Sequence, residues 1–379
     1  MKYCKKCILP DSRPGIFLDN EGICSGCKGH ILKDKINWNK RYKELLKIIK
    51  DAKKKSTNYH CIVPISGGKD SWYQVILAKK LGLKILGITW KTPARTPLGE
   101  KNLINLLQKL KIDHIDYSIS QDVEKKFMIA AFEKSGDSGL PMHLAIFSIA
   151  RRLGSQLKIP LIIWGENSQL EYGGTKEDQL RTDLDSHWVK KHGCMQEKSA
   201  KDWIGINKLN SRDLIPYQSP KIKDFQSRSI FLGSFIKWNS FKIKDFVKKY
   251  GFKFHLNKGK VGAWNFADVD CDFISLHHLP KWHKFGITRD FDNLSVQIRY
   301  GLISRKAALK KLKKEGLKTP HNDIKKFCSF VGKSQKWFWK TCEKYRNKKI
   351  WYKEKGKWKI KDFIIKDWNW NENKKNSSA

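Results

Sequence analysis

The chain has 379 residues, enough for two or three domains around a sizeable core. It contains no apolar run of transmembrane length and no leader pattern of charged and then apolar residues, so we expect a cytoplasmic protein without a membrane partner. The formal net charge is +40, but Lys outnumbers Arg by 65 to 12 and the lysines are spread along the whole chain. Because base reading favours Arg, we expect an anionic small substrate, such as a nucleotide-linked sugar, before a nucleic acid.

The nine cysteines are odd in number and mostly scattered, which does not indicate a disulfide framework. Four of them form two C-x2-C pairs with sixteen residues between the pairs, namely Cys4, Cys7, Cys24 and Cys27. This spacing suits two turns that close one tetrahedral zinc ion, and four protein ligands indicate a structural site. An iron–sulfur cluster and four unrelated thiols are the alternatives. We therefore predict a zinc ribbon over residues 1–30 and a linker helix over residues 31–58.

From about residue 59 to residue 215 the sequence alternates between strand and helix patterns. This alternation predicts a doubly wound parallel sheet of the α/β class. A proline cannot donate to a sheet ladder, so Pro64 must lie at the C-terminal end of the first strand. The predicted strands are 60–65, 84–90, 113–119 and 160–164, and the predicted helices are 70–81, 98–111, 121–134 and 143–157.

A glycine pair joins the first strand to the first helix of this region. Gly67 and Gly68 have no Cβ, so the turn can bring backbone N–H groups against an anion, next to the positive end of the following helix. Ser66 and Ser71 supply hydroxyl groups and Lys69 supplies a positive charge. The spacing differs from that of a Walker A loop. The segment therefore predicts a phosphate site that binds its anion in a different way from a Walker A loop.

Ligands of parallel sheets bind beyond the carboxyl ends of the strands. Thr89, Trp90 and Lys91 follow the second strand, while Gly165 and Glu166 follow the fourth. Glu171, Gly173 and Gly174 come shortly afterwards, so this region offers two carboxylates and a glycine pair for magnesium or an acceptor; a solvated loop is the alternative.

The Ser-Gly-Gly-Lys-Asp-Ser segment resembles the PP-loop of the ATP pyrophosphatase superfamily. This resemblance implies an adenine nucleotide alpha hydrolase-like fold and cleavage of ATP between its α and β phosphates, with AMP transferred to a substrate oxygen. It further implies that Thr89 and Trp90 seat adenine and that Asp70 holds Mg²⁺. The implied catalytic residues are Lys69, Asp70 and Glu166, and the implied ATP-binding residues are Ser66, Gly67, Gly68, Lys69, Asp70, Ser71, Thr89, Trp90 and Gly165.

Residues 61–71, 164–167 and 171–174 together resemble the N-acetyl sugar amidotransferases of bacterial surface-glycan pathways, and the similarity extends to residues 299–305. These pathways make pseudaminic acid, legionaminic acid, flagellin glycans or lipopolysaccharide (LPS) O-antigen. The resemblance implies that ATP activates the N-acetyl group of a nucleotide-linked or free sugar and that ammonia replaces its oxygen. It also implies separate partners similar to glutaminase and cyclase subunits, which supply the ammonia. Residues 285–290 depart from the family pattern.

Beyond residue 215 the strand signal fades, and we predict a mainly helical region over residues 216–370 with a disordered tail over residues 371–379. The predicted helices are 241–250, 292–300, 304–315, 321–330 and 334–346. A second metal cluster is one interpretation of His277, His278 and His283 with Asp268, Asp270, Cys271 and Asp272. The irregular spacing of these residues favours a structural role instead.

Two other functions remain open from the sequence. One is a tRNA-modifying enzyme of the same superfamily, a thiolase or a lysidine-type enzyme. Thiolation generally needs a sulfur-handling cysteine or cluster near the loop, whereas Cys194, Cys271, Cys328 and Cys342 are isolated. The other is a zinc-ribbon binding module without catalytic activity. A glutaminase active site is not expected, because the best candidate, Cys194, lacks the second glycine of a nucleophile elbow.

Overall fold

A computed structural model describes residues 1–193, 198–219, 225–256 and 259–370. The predicted tail at 371–379 and Cys194 lie outside these ranges. Across the described ranges, every helix is too short or too polar to span a lipid bilayer.

The central sheet has five parallel strands in the order β3-β2-β1-β4-β5. The first strand ends at Pro64, as predicted. The fifth strand lies past residue 215, where the sequence analysis placed the end of the α/β domain. This boundary is therefore corrected to include β5. The strands are β1 (Cys61–Pro64), β2 (Ile85–Trp90), β3 (Asp113–Tyr117), β4 (Leu161–Trp164) and β5 (Arg228–Phe231).

Helices cover both faces of the sheet, which confirms the doubly wound fold. Cys61 and Val63 of β1 belong to a core with α3 (Lys69–Lys80) and α4 (Pro97–Leu110). Ile62, which points to the opposite face, belongs to a core with α5 (Gln121–Ser135) and α6 (Leu140–Gln156). This alternation is what a strand buried on both faces requires.

The N-terminal region contains two helices in place of the single linker helix that we predicted. Helix α1 (Ser25–Lys35) begins at the second cysteine pair, and α2 (Trp38–Lys55) follows after a break of two residues. The Asn37 side chain caps α2 by accepting a hydrogen bond of 2.9 Å from the Lys40 N–H. An Asn at this position ends one helix and starts the next.

The rest of the chain is mainly helical and ends in a β-hairpin that the sequence analysis missed. The hairpin pairs β6 (Trp351–Glu354) with β7 (Lys357–Ile360) through a turn in which Lys355 and Gly356 both have positive φ. The helices are α7 (Ser168–Tyr172), α8 (Lys176–Leu180), α9 (Ser186–His192), α10 (Ser240–Lys249), α11 (Ile274–His278), α12 (Pro280–Phe285), α13 (Arg289–Arg299), α14 (Arg305–Glu315), α15 (His321–Val331) and α16 (Gln335–Lys344).

The cysteine segment and the C-terminal region share one hydrophobic core. The four cysteines of the N-terminal pairs pack in this core with Trp282, Phe291, Leu294 and Trp351. The two predicted domains at residues 1–30 and 216–370 therefore stabilise each other.

Candidate functional site

Hydrogen bonds to its own serine hydroxyl groups fix the shape of the loop between β1 and α3. The Ser66 N–H donates to Ser71 Oγ at 3.0 Å, and the Gly68 N–H donates to Ser66 Oγ at 3.4 Å. Gly67 has a φ of +85°, and a Cβ there would lie 2.7 Å from the Gly99 carbonyl oxygen. Gly68 is the N-cap of α3 and offers no side chain to the first N–H groups. These N–H groups can therefore bind an anion at the positive end of α3.

Lys69 and Asp70 form an ion pair at the start of α3. The Lys69 Nζ lies 2.5 Å from Asp70 Oδ1, and the exposed fractions of the two side chains are 7% and 37%. The Lys69 side chain is therefore buried, while the Asp70 carboxylate is partly exposed to solvent. A carboxylate at the mouth of a phosphate loop is a suitable Mg²⁺ ligand, because Mg²⁺ prefers one or two carboxylates together with phosphate oxygens.

The loop opens into a cavity of about 250 Å³, here called the first cavity. Trp90 lines it and donates its indole N–H to Glu124 at 2.9 Å. Thr89 lines it as well, but the Thr89 hydroxyl donates to the Ile65 carbonyl at 2.6 Å. The predicted residues that line this cavity are Ser66, Asp70, Ser71, Thr89, Trp90 and Gly165. The structure thus brings the ends of three strands together around one space.

Two residues of the first cavity were missed by the sequence analysis. The Asp270 side chain forms a hydrogen bond with Ser66, and burial raises the pKa of the Asp270 carboxyl. Gln74 is buried, lines the cavity, and has a side-chain oxygen without a partner among the described residues. The spacing of Gln74 and Asp70 on α3, one helical turn, was an available signal. No local pattern connects Asp270 to a loop so far away in sequence.

Glu166 follows β4 closely in the chain and interacts with several other charged side chains. Burial and the negative charge of Asp70 together raise the pKa of Glu166 to about 7, against the opposing positive charges of Lys69 and Arg289. A carboxyl group with a pKa raised in this way is suited to exchanging protons. Arg289 comes from the segment at residues 285–290, to which the resemblance assigned no role.

Glu171 has a structural partner and does not reach into the first cavity as a free carboxylate. The buried Glu171 forms an ion pair with the buried Lys33 of α1. The Glu171 carbonyl accepts a hydrogen bond of 2.8 Å from Arg299. The prediction of two carboxylates available for magnesium or an acceptor is thus corrected, because Lys33 neutralises one of them.

The four N-terminal cysteines form a buried cluster whose sulfur atoms all lie within 4.8 Å of one another. The Cys4 and Cys27 sulfurs are 3.9 Å apart, and the Cys7 and Cys24 sulfurs are 3.6 Å apart. Tetrahedral Zn–S bonds of about 2.3 Å give S···S distances of ~3.8 Å. The guanidinium of Arg299 lies 3.9 Å from the Cys24 sulfur and offsets thiolate charge. The cluster therefore fits a structural zinc ion.

Within the described ranges, these cysteines are also the only His, Cys, Asp and Glu side chains that converge in a group of three or more suited to a metal. His277 pairs with Asp137 at 3.0 Å, and His278 lies 3.7 Å from Asp268. His277 and His278 are thus held in separate His–Asp pairs. This arrangement agrees with the structural role that their irregular spacing favours.

The five-stranded parallel sheet with helices on both faces defines an α/β protein, and its Ser-Gly-Gly-Lys-Asp-Ser loop after β1 resembles a PP-loop. Residues 241–364 match the family described as LPS biosynthesis protein WbpG-like, C-terminal domain. This match confirms, for the C-terminal region, the predicted resemblance to proteins of bacterial surface-glycan pathways.

Three further proteins are similar to this chain. Uncharacterized protein MJ1599 of Methanocaldococcus jannaschii is 23% identical over 260 residues, which cover 67% of this chain and 85% of that protein. The NH3-dependent NAD synthetase of Campylobacter jejuni has 15% identity and a TM-score of 0.31, covering 50% of this chain and 100% of its own. The NMN synthetase of Francisella tularensis has 16% identity and a TM-score of 0.28, covering 56% of this chain and 87% of its own.

Proposed function

We propose that this protein is an ATP-dependent amidotransferase that converts the N-acetyl group of a sugar into an acetamidino group. The observation that carries the proposal is a PP-loop that opens, beside Asp70 and Glu166, into a cavity at the strand ends. The WbpG-like domain supports a role in surface-glycan biosynthesis. Pseudaminic acid, legionaminic acid, flagellin glycans and O-antigen are the candidate products.

The acetamido oxygen is a poor leaving group, and its transfer to AMP converts it into a good one. The acetamido oxygen attacks the α phosphorus of ATP, an O–P bond forms, and the bond to pyrophosphate breaks. Ammonia then adds to the activated carbon, and the C–O bond breaks so that AMP leaves with the former acetamido oxygen. The nitrogen loses its extra protons and an acetamidino group remains.

The residues of the site have separate roles in this scheme. The loop N–H groups, Ser66 and Lys69 hold the departing pyrophosphate, because fixed donors and positive charge stabilise the charge that develops there. Asp70 would hold Mg²⁺, which supplies further charge neutralisation on the phosphates when bound. Glu166 accepts a proton from the attacking nitrogen, for which a pKa of about 7 is suitable. No side chain acts as a covalent nucleophile.

The sugar itself would come from a nucleotide-linked or free pool, and the ammonia from partners similar to glutaminase and cyclase subunits. The Cys194 segment, the best internal glutaminase candidate in the sequence, lies outside the described residues. We expect the purified protein to use high ammonium but not glutamine, and to gain glutamine-dependent activity when such partners are added.

The test is mass spectrometry of candidate N-acetyl sugars, nucleotide-linked and free, after incubation with the protein, ATP, magnesium and ammonium. The expected result is a product in which one oxygen is replaced by NH, formed together with equal amounts of AMP and pyrophosphate. Formation of ADP, or of AMP without a change in the sugar, would contradict the proposal. Glutamine-dependent turnover by this chain alone would contradict the separate source of ammonia.

A tRNA thiolase is the main rival of the same class. Cys271 lines the first cavity, but burial raises the pKa of its thiol to about 12, so it is not a thiolate at neutral pH. Cys61, Cys328 and Cys342 are buried as well. Filter binding with tRNA separates the two functions, and we expect no saturable binding.

A further inference from the structure

A second and larger cavity, of about 520 Å³, lies between the N-terminal cysteine segment, the segment after β4 and helix α12. Its N-terminal wall consists of Arg13, Pro14, Gly15 and Phe17, which belong to the stretch between the two cysteine pairs. Phe17 is 58% exposed, an unusual exposure for a large aromatic side chain. The packing of the core does not explain why this ring is placed here.

The segment 165–174 lies beside both cavities. Gly165 lines the first cavity, while Tyr172, Gly173 and Gly174 line the second. Glu166 lies in this segment between Gly165, which lines the first cavity, and Ser168, which lines the second. A molecule in the second cavity would therefore have one end near Glu166.

Gly173 of this segment allows a close approach between the walls. Gly173 has a φ of +124°, and a Cβ there would lie 2.6 Å from Ile16 Cδ1 and 3.1 Å from the Gly15 carbonyl oxygen. The cysteine segment thus packs directly on the segment after β4, and the wall carrying Phe17 is fixed relative to Tyr172.

The charges that line the second cavity favour an anion. Arg13, Lys191, Lys281 and Lys284 contribute four positive charges, against the carboxylates of Asp137, Asp178 and Asp292. Two of these carboxylates are paired with cations of the same wall, Asp292 with Arg13 at 2.6 Å and Asp178 with Lys191 at 2.9 Å. Asp137 pairs with His277, and burial lowers the pKa of that histidine to about 4. At neutral pH the lining has one more positive charge than negative charge.

The remaining lining is suited to a sugar or a base. Phe17, Tyr172 and Phe285 offer aromatic surface, while Ser168, Gln169 and Thr175 offer hydrogen-bonding groups. A cavity of this size, with mainly apolar walls and a few polar groups, is typical of a small-molecule site.

We propose that the second cavity binds the acceptor as a nucleotide-linked N-acetyl sugar, with its phosphates against the lysines of α12 and its acetamido group toward Glu166. This inference rests on the proposed function, since it assigns the substrate of the same reaction to a second space. It gives the segment between the cysteine pairs a direct role in substrate binding.

The test measures binding at the two cavities separately by isothermal titration calorimetry. The probes are α,β-methylene ATP for the first cavity and UDP-N-acetylglucosamine, N-acetylglucosamine 1-phosphate and N-acetylglucosamine for the second. We expect Phe17→Ala and Lys281→Ala to weaken binding of the UDP-sugar about tenfold each and to leave the affinity for the ATP analogue unchanged. Leu302→Ala is the matched control, because Leu302 is 57% exposed and lies outside both cavities. It should bind all probes like the parent.

Hydrogen exchange provides a second readout that needs no variant. The UDP-sugar should protect the backbone around Phe17 and Gly173, and the ATP analogue should not. Binding of the UDP-sugar to both variants with parental affinity, or the absence of binding by the parent to any of the sugar probes, would overturn this inference. A parent that binds the UDP-sugar in the second cavity but forms no AMP with any N-acetyl acceptor would instead overturn the proposed function.

Discussion

Lys69 and Asp70 are neighbours in sequence, yet the fold places them in different surroundings. Lys69 is nearly covered, whereas more than a third of the Asp70 side chain is exposed. The sequence predicted both as site residues because the loop motif is local. Asp270 could not be predicted in the same way, because only the tertiary fold brings it to Ser66.

Asp70→Asn should abolish AMP and pyrophosphate formation without loss of the fold, since it removes a charge at the loop while keeping the side-chain volume. Ser66→Ala should be milder and cost roughly 1.5–3 kcal/mol of transition-state stabilisation, the value of one hydrogen bond to a charged group. Both effects are measured as the rate of pyrophosphate release. Release at the parental rate by the Asp70 variant would show that this carboxylate does not hold Mg²⁺.

Glu166→Gln should separate stability from activity. The pKa of Glu166 is raised from its ordinary value of 4.5 to about 7 in the folded protein, so the folded state binds this proton more tightly than the unfolded state. The resulting stabilisation is present below pH 4.5 and is lost as the pH rises to about 7.

Because Gln carries no charge, the Glu166→Gln variant does not lose this stabilisation as the pH rises. At pH 8 and without ligands its free energy of unfolding should exceed that of the parent by on the order of 1–3 kcal/mol, while its activity falls. At pH 4.5 the two proteins should unfold at closer urea concentrations. A parent that is the more stable of the two at pH 8 would contradict the raised pKa.

At the scale of elements, the helices and strands that could be predicted from the sequence are those with a regular pattern of apolar residues. Four of the longer helices of the α/β region and four of its strands follow from apolar periodicity, and their ends agree with the structure within a few residues. The short helices α7, α8 and α9 were not predicted. Strand β5 has four residues, as β1 and β4 have, but it was missed because the strand–helix alternation that marks the other strands does not continue in the sequence beyond residue 215. The β6–β7 hairpin carried a usable signal in the sequence, the Lys355–Gly356 turn.

The phosphate loop offers a matched pair of glycines. Gly67→Ala should lower the free energy of unfolding by roughly 1–3 kcal/mol and weaken ATP binding, because φ is +85° and the new Cβ would meet the Gly99 carbonyl. Gly68→Ala is the control, since the nearest atom to its Cβ would be Ser66 Oγ at 3.3 Å. Urea unfolding and calorimetry with an ATP analogue measure both effects. Equal stability of the two variants would contradict the strain assigned to position 67.

At the scale of the whole molecule, Arg299 connects the cysteine cluster to the segment after β4. One of its nitrogens lies near the Cys7 and Cys24 sulfurs, and another donates to the Glu171 carbonyl. The spacing of the cysteines predicted that they cluster, but not that Arg299 of α13 lies against their sulfur atoms. The predicted division into separate domains missed this connection because domain boundaries were read from changes in local pattern.

Cys24→Ser should release zinc and lower the thermal stability of the whole chain, because metal binding in such sites is coupled to folding. Cys328→Ser is the control, as it removes another buried thiol that lies outside the cluster. It should retain one zinc ion per chain in metal analysis. Absence of zinc from the native protein, purified under reducing conditions, would remove the assignment of the metal.

The contacts of the cysteine segment also set an order of events during synthesis. The Ile8 N–H donates to Ser295, and Arg305 donates to the Cys7 carbonyl, so the cysteine segment is completed by residues that are made almost 300 positions later. At about 5–20 residues per second, the ribosome needs at least ~15 seconds to supply these partners. During that interval the nascent thiols are open to oxidants and to competing metal ions. The cysteine segment therefore reaches its finished form only after residue 305 has been made, and the cell's thiol-reducing capacity during that delay bears on the yield of the protein.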